Sequence, residues 1–216
     1  MRSVPLALSA LALALTAACS GEEAPPAEDV VPDAQKAMTA VESVYFELSV
    51  DGDVEGLAVK AADGTVTAEG QAEGTGTITA LGMDLEVDYV IVGQDAYVKG
   101  LTGDYQQIPV GDDMLPYDPT ILLDPDFGIA PLLGAVESAE PLESESVAGF
   151  DAYKYEIVFE PAAFAQFLPA AGDWNTGTVW FDEETLRVVK AEFAQGDATV
   201  TLLLSDYNET VTIEAP

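Results

Sequence analysis

The chain has 216 residues, with 39 Asp or Glu against 7 Lys or Arg, no histidine, one cysteine and a formal net charge of −32 at pH 7. A field of that sign repels phosphate backbones and excludes nucleic acid as a partner, and no basic run is present to dock on anionic head groups. A single thiol excludes an internal disulfide, and the lack of imidazole removes the commonest general base for a serine or cysteine nucleophile.

The first element is an apolar run, residues 4–15, behind Arg2. It has the n-region and h-region of a secretory signal and is shorter than the roughly 20 residues a membrane helix needs. It ends in Leu15-Thr16-Ala17-Ala18-Cys19-Ser20-Gly21, where small residues before a cysteine resemble a bacterial lipobox. That resemblance implies a lipoprotein signal peptide over residues 1–18 and a diacylglycerol on Cys19, with palmitate-type chains. The protein would then sit lipid-anchored at the extracytoplasmic face of the cell membrane. An ordinary signal peptide with an incidental cysteine is the plainer alternative. Two acyl chains anchor stably where one binds only marginally. Residues 20–32 are rich in Glu, Pro and Ala without periodicity, so residues 19–32 read as lipidated cysteine plus flexible tether. Residues 33–216 are then a single domain.

Residues 33–43 place Ala34, Ala37, Met38 and Val41 on one stripe and read as a first helix. Period-two alternation follows at 46–50. Asp51-Gly52-Asp53-Val54-Glu55-Gly56 imitates the opening of a calcium loop, but the position for its closing glutamate holds Ala62, so the segment reads as a tight connection. Further strands are expected at 64–69, 76–80, 85–89 and 96–100. Tyr117-Asp118-Pro119 then opens a short turn, Asp124-Pro125-Asp126 breaks it, and residues 128–136 form a helix with Ile129, Leu132, Leu133 and Val136 on one face. A strand at 153–157 precedes a helix at 161–170, with Pro161 first and Phe164, Phe167 and Leu168 on one stripe. Strands at 177–181, 187–193 and 200–204 complete roughly ten. The fold class is α+β: a curved antiparallel half-barrel sheet with a few helices on its concave side.

Alternation turns Phe46, Leu48, Val50, Val66, Ile78, Val87, Tyr89, Ile91, Tyr155, Ile157, Val179, Phe181 and Leu202 inward, together with Leu85, Phe159, Val200 and Leu204. Leu132, Leu133, Val136, Phe164 and Phe167 face them from the helices. Such a face is more often a solid core than a cavity, because interiors close-pack wherever they can. Two helices of about ten residues, however, cover only about 15 Å each. A sheet of that breadth calls for a further apolar guest. No pair among the many carboxylates is singled out for acid–base work, and no ligand spacing for a metal or cofactor appears, so the chain reads as non-catalytic.

Several short motifs recur in order: Val59-Lys60 with Gly64, Tyr117-Asp118-Pro119 followed by Leu123-Asp124-Pro125-Asp126 and Gly128, Thr178-Val179-Trp180 followed by Glu183, and Leu204-Ser205 with Tyr207. Together, from Cys19 onward, they resemble the actinobacterial LppX/LprA/LprF/LprG lipoproteins, the LprG branch above all. The resemblance implies an apolar cavity for the acyl chains of lipids, lined by the thirteen sheet positions named first above and the five helical ones. It implies a carrier of triacylated glycolipid or triacylglycerol across the cell envelope, working with a membrane export transporter. The chain departs from the family in its acidity and in lacking a basic cluster for a phosphoinositol-type head group. Without the resemblance, the residues equally describe a surface-anchored, non-catalytic scaffold for envelope assembly with a solid core.

Overall fold

Alternating apolar positions and glycine-bearing turns generate twelve strands in one antiparallel sheet, in a computed structural model that describes residues 23–54, 56–80, 82–100, 103–110, 115–169 and 174–216. The strands are β1 (Ser43–Asp51), β2 (Val59–Thr67), β3 (Gln71–Ala80), β4 (Met83–Val92), β5 (Asp95–Lys99), β6 (Gln106–Pro109), β7 (Val136–Pro141), β8 (Glu145–Val147), β9 (Phe150–Phe159), β10 (Thr176–Asp182), β11 (Val188–Gln195) and β12 (Ala198–Ser205). Their spatial order is β6-β5-β4-β3-β2-β1-β12-β11-β10-β9-β7, with β8 also on β9. Most neighbours in space are neighbours in sequence, as short hairpins dictate. The long-range exception joins β1 to β12, setting Phe46 opposite Leu204 and Val50 opposite Val200. β6 and β7 end the order without meeting, so the sheet is an open half-barrel.

Helices α1 (Ala27–Thr39), α2 (Ile129–Gly134) and α3 (Pro161–Phe167), with a 3-10 helix at Pro119–Leu123, cover the inner face and share one hydrophobic core with it. Asp118 opens the 3-10 helix by accepting from the Thr120 backbone N–H at 3.0 Å, which satisfies one of its free donors. Asp124 closes it and accepts from the backbone N–H groups of Asp126 and Phe127, both at 2.8 Å. The segment that imitated a calcium loop is the β1–β2 connection, with Gly52 at φ +79°. Lys60 donates to the Gly52 carbonyl there at 3.0 Å.

Several boundaries differ from those expected. α1 begins at Ala27, with Pro32 inside it, so the flexible tether expected over residues 19–32 does not extend through the described part of that segment. Burial decides this: Val30, Val31, Ala34 and Met38 bury one stripe, which outweighs the hydrogen bond lost at Pro32. Glu28 and Asp29 in the first turn suit the positive end of the helix dipole. Residues ahead of α1 are also tied down, since Ala24 is buried and its N–H donates to the Leu142 carbonyl at 3.0 Å. Cys19 and the signal segment lie outside the described residues. Val136, expected on the helix, instead starts β7 opposite Phe159. α2 stops at Gly134 because Ala135 accepts the Glu160 N–H at 2.8 Å and the chain turns into the sheet. Strands β6, β7 and β8 were not anticipated: short and largely exposed, they lack the apolar alternation of the central strands.

Tyr155, fully buried, donates its hydroxyl to the Pro25 carbonyl at 2.7 Å, and burial pushes its pKa up to about 12. Tyr155→Phe is expected to cost about 1 kcal/mol in urea unfolding and to speed amide exchange at Ala24. A free tether at residues 23–26 would give neither change.

On the outer face, Trp180 is buried with Ala152 and Val189. The Lys154 and Lys190 ammonium groups lie 5.0 and 4.4 Å from its ring centroid, and its indole N–H donates to Glu145 at 2.8 Å. The hydrogen bond from Lys154, followed by that from Trp180, holds the Glu145 carboxyl below its usual range. This outer cluster covers an aromatic side chain that period two turns away from the interior.

Candidate functional site

Three apolar pockets follow one another between the helices and the sheet. Val59, Ala62, Gly76, Ile78, Val87 and Tyr89 wall the first, under Leu115, Pro116, Tyr117 and Pro119. The second lies over Phe46, Leu48, Phe193, Val200 and Leu202, under Leu57, Tyr117, Leu122, Phe167 and Leu168. The third lies over Phe159, Val179, Val188, Ala191, Phe193 and Leu202, under Ile129, Leu132, Leu133 and Phe167. Tyr117 borders the first and second, while Phe167, Phe193 and Leu202 border the second and third. The three therefore form a row with shared walls.

Small residues make the room. Ala62 and Gly76 leave the inner face of β2 and β3 thin, and Gly177 carries no Cβ where one would stand 2.4 Å from the Phe193 ring. Large ones take it back. Phe164 packs on Phe159 and Phe193 with ring centroids 5.8 and 4.9 Å apart. Each pocket holds about 20 Å³, room for roughly one water molecule. A chain of methylenes can thread the row only if these side chains move.

Among the described residues, the pocket walls present no carboxylate, amine or thiol, and their polar side-chain atoms are the hydroxyls of Tyr89 and Tyr117. Tyr89 donates to the Asp63 carbonyl at 3.2 Å. Burial, followed by the charge of Asp63, holds its pKa above that of an ordinary phenol. Such walls bury apolar surface.

Two roomier depressions lie outside the row. One of about 370 Å³ runs between α1 and the turn from the 3-10 helix to α2, along Gln35, Met38, Thr39, Leu123, Asp124, Pro125, Ala130 and Pro131. It shares Leu122 with the second pocket, so that side chain stands between groove and interior. The other, about 450 Å³, is a shallow patch around Tyr45, Glu47, Ser49 and Asp63. There Asp63 already accepts from Tyr45 at 3.1 Å and Thr75 at 2.7 Å.

Of the residues expected to line a cavity, Phe46, Leu48, Ile78, Val87, Tyr89, Leu132, Leu133, Phe167, Val179 and Leu202 border these pockets. Val50, Val66, Ile91, Tyr155, Ile157, Phe164 and Phe181 are buried in the same core without bordering one, and Val136 is half-buried at its margin. Sequence reasoning missed Tyr117 and Leu122, which it placed in a turn, and Val188, Ala191 and Phe193. The period-two step from Ala191 to Phe193 was the available signal, whereas the step of three from Val188 crosses the register shift opposite Trp180 and Phe181.

The profile of the LppX_LprAFG lipoprotein family matches residues 26–213. Over 98% of this chain and 96% of the relative, the sequence is 32% identical to the lipoarabinomannan carrier protein LprG of Mycolicibacterium hassiacum. It is 28% identical to a putative lipoprotein LprA of Mycobacterium bovis, over 87% of this chain and 80% of that one. Crystal structures of LprF from Mycobacterium bovis and of LppX from Mycobacterium tuberculosis superpose with TM-scores of 0.78 and 0.63, at 22% and 20% identity. They cover 90% and 86% of this chain and 99% and 97% of theirs, so the half-barrel is shared. Sequence and fold thus agree, and this chain belongs to the LppX_LprAFG lipoprotein family.

Proposed function

We propose that this protein is a non-catalytic, lipid-anchored carrier that takes the acyl chains of a lipid or glycolipid into the space between sheet and helices. The row of three apolar pockets, which share Tyr117, Phe167, Phe193 and Leu202 along their walls, is the observation that carries this reading. The relatives named as carriers support it. Burial of each methylene contributes about 0.8 kcal/mol, so a long chain is held firmly and its release needs an acceptor or an opening motion. Opening falls to the short elements: α3 is a helix of 7 residues that places Phe167 between two pockets, and Leu122 ends the groove beside α1.

A signal peptide over residues 1–18 and a diacylglycerol on Cys19 complete the reading and place the domain at the extracytoplasmic face of the cell membrane. Because Glu23 already bridges to Glu143, the four residues from Cys19 reach at most about 14 Å. That edge of the sheet then lies beside the membrane, and the anchor keeps the pockets at a high local lipid concentration. Delivery to a second layer calls for a partner such as an export transporter.

The small pocket volumes favour a second reading, a scaffold lipoprotein with a solid core. Transfer of a fluorescent diacylglycerol from donor to acceptor vesicles separates the two. The carrier accelerates transfer in proportion to its concentration; a scaffold leaves the spontaneous rate unchanged.

A further inference from the structure

Among the described residues, two of the side chains that wall the three pockets carry polar atoms, and they differ in one respect. Tyr89 donates to the Asp63 carbonyl, as Tyr155 donates to Pro25 and Tyr207 to Val188. Tyr117 donates to nothing among the described residues. Its neighbour Asp118 accepts from the Thr120 N–H at 3.0 Å and the Thr120 hydroxyl at 2.7 Å, both through Oδ1, and no hydrogen bond joins it to the Tyr117 hydroxyl. Tyr117 is half-buried and borders both the first and second pockets, and no fully buried side-chain polar atom among the described residues lacks a partner, so its hydroxyl stays within reach of an incoming acceptor. Burial, followed by the charge of Asp118, raises its pKa, so it stays a protonated donor.

Hydrocarbon needs no hydrogen bond, but the carbonyl that joins an acyl chain to its alcohol does. Drawn into an apolar channel, an ester carbonyl leaves its water partners behind and is costly unless a donor meets it. We propose that the Tyr117 hydroxyl donates to the ester carbonyl of an acyl chain lying across the first and second pockets, and so selects ester-linked acyl lipids over ether-linked ones. This rests on the carrier reading and names a specificity-determining residue within it. Tyr117→Phe removes the oxygen and leaves the ring of a residue that borders both pockets.

The test measures binding of dioleoylglycerol and of its dialkyl ether analogue, which lacks the carbonyls, to residues 20–216. That span contains every described strand and helix. Wild type is expected to prefer the ester by about tenfold, and Tyr117→Phe to lose that preference with affinity for the ether unchanged. A carbonyl-labelled ester should also show its infrared band shifted to lower frequency on wild type and unshifted on the variant. Equal affinities with an unshifted wild-type band would overturn the role of Tyr117 and leave the carrier standing. Failure of wild type to bind either lipid would overturn both.

Discussion

Gly74→Val is expected to destabilise the fold by about 3 kcal/mol or more, the upper end of overpacking costs. Gly74 stands opposite Gly64 across β2 and β3. A Cβ on Gly74 would lie 2.0 Å from the Asp63 carbonyl oxygen and 2.7 Å from the Gly64 Cα, both backbone atoms. It would also lie 2.6 Å from the Tyr89 hydroxyl, on the residue that walls the first pocket. No rotamer change relieves a backbone contact, so two central strands must separate. Gly70→Ala is the control: at φ +76° with nothing within 4 Å, it costs only the left-handed backbone penalty, about 1 kcal/mol. Urea unfolding of the two variants checks the contrast, and a Gly74→Val midpoint at the wild-type value would rule out the close approach.

Leu202→Trp is expected to reduce lipid uptake at least tenfold while the protein still folds. Leu202 is buried, faces Leu48 and Ala191 in register, and borders both the second and third pockets. An indole there fills the passage between them. If Phe167 and its neighbours can move aside for an acyl chain, the same movement accommodates the larger ring, at the about 1–3 kcal/mol typical of overpacking. Circular dichroism and urea unfolding report the fold, and uptake of a fluorescent diacylglycerol reports the passage. Wild-type uptake by this variant would place the lipid elsewhere.

The central strands were legible in the sequence because each buries one face. Phe46-Glu47-Leu48-Ser49-Val50 alternates without interruption, and the strands expected around Leu85, Tyr155 and Leu202 all exist. The edges were not legible, since β7 alternates Glu, Ser and Ala with little apolar contrast. Pro25, Pro26 and Pro32 made the chain ahead of Asp33 look extended, yet burial of Val30 and Val31 carries the helix back to Ala27. Alternation pointed to part of the pocket walls but missed Val188, Ala191 and Phe193, and it said nothing of how the pockets are divided. Tyr117 and Leu122 reach the interior from a segment that local sequence marks only as a turn, and the Gly64–Gly74 pairing depends on a register that no single strand contains. Periodicity identifies an apolar face and carries no information on how much space lies above it.

Native mass spectrometry with organic extraction tests the central claim most directly. Residues 20–216, purified after exposure to long-chain diacyl and triacyl lipids, should carry an added lipid mass that extraction recovers. Leu202→Trp should fly at the mass of the protein alone. A clean protein mass for the wild type, with no lipid in the extract, would contradict the carrier and leave a solid-cored scaffold in its place.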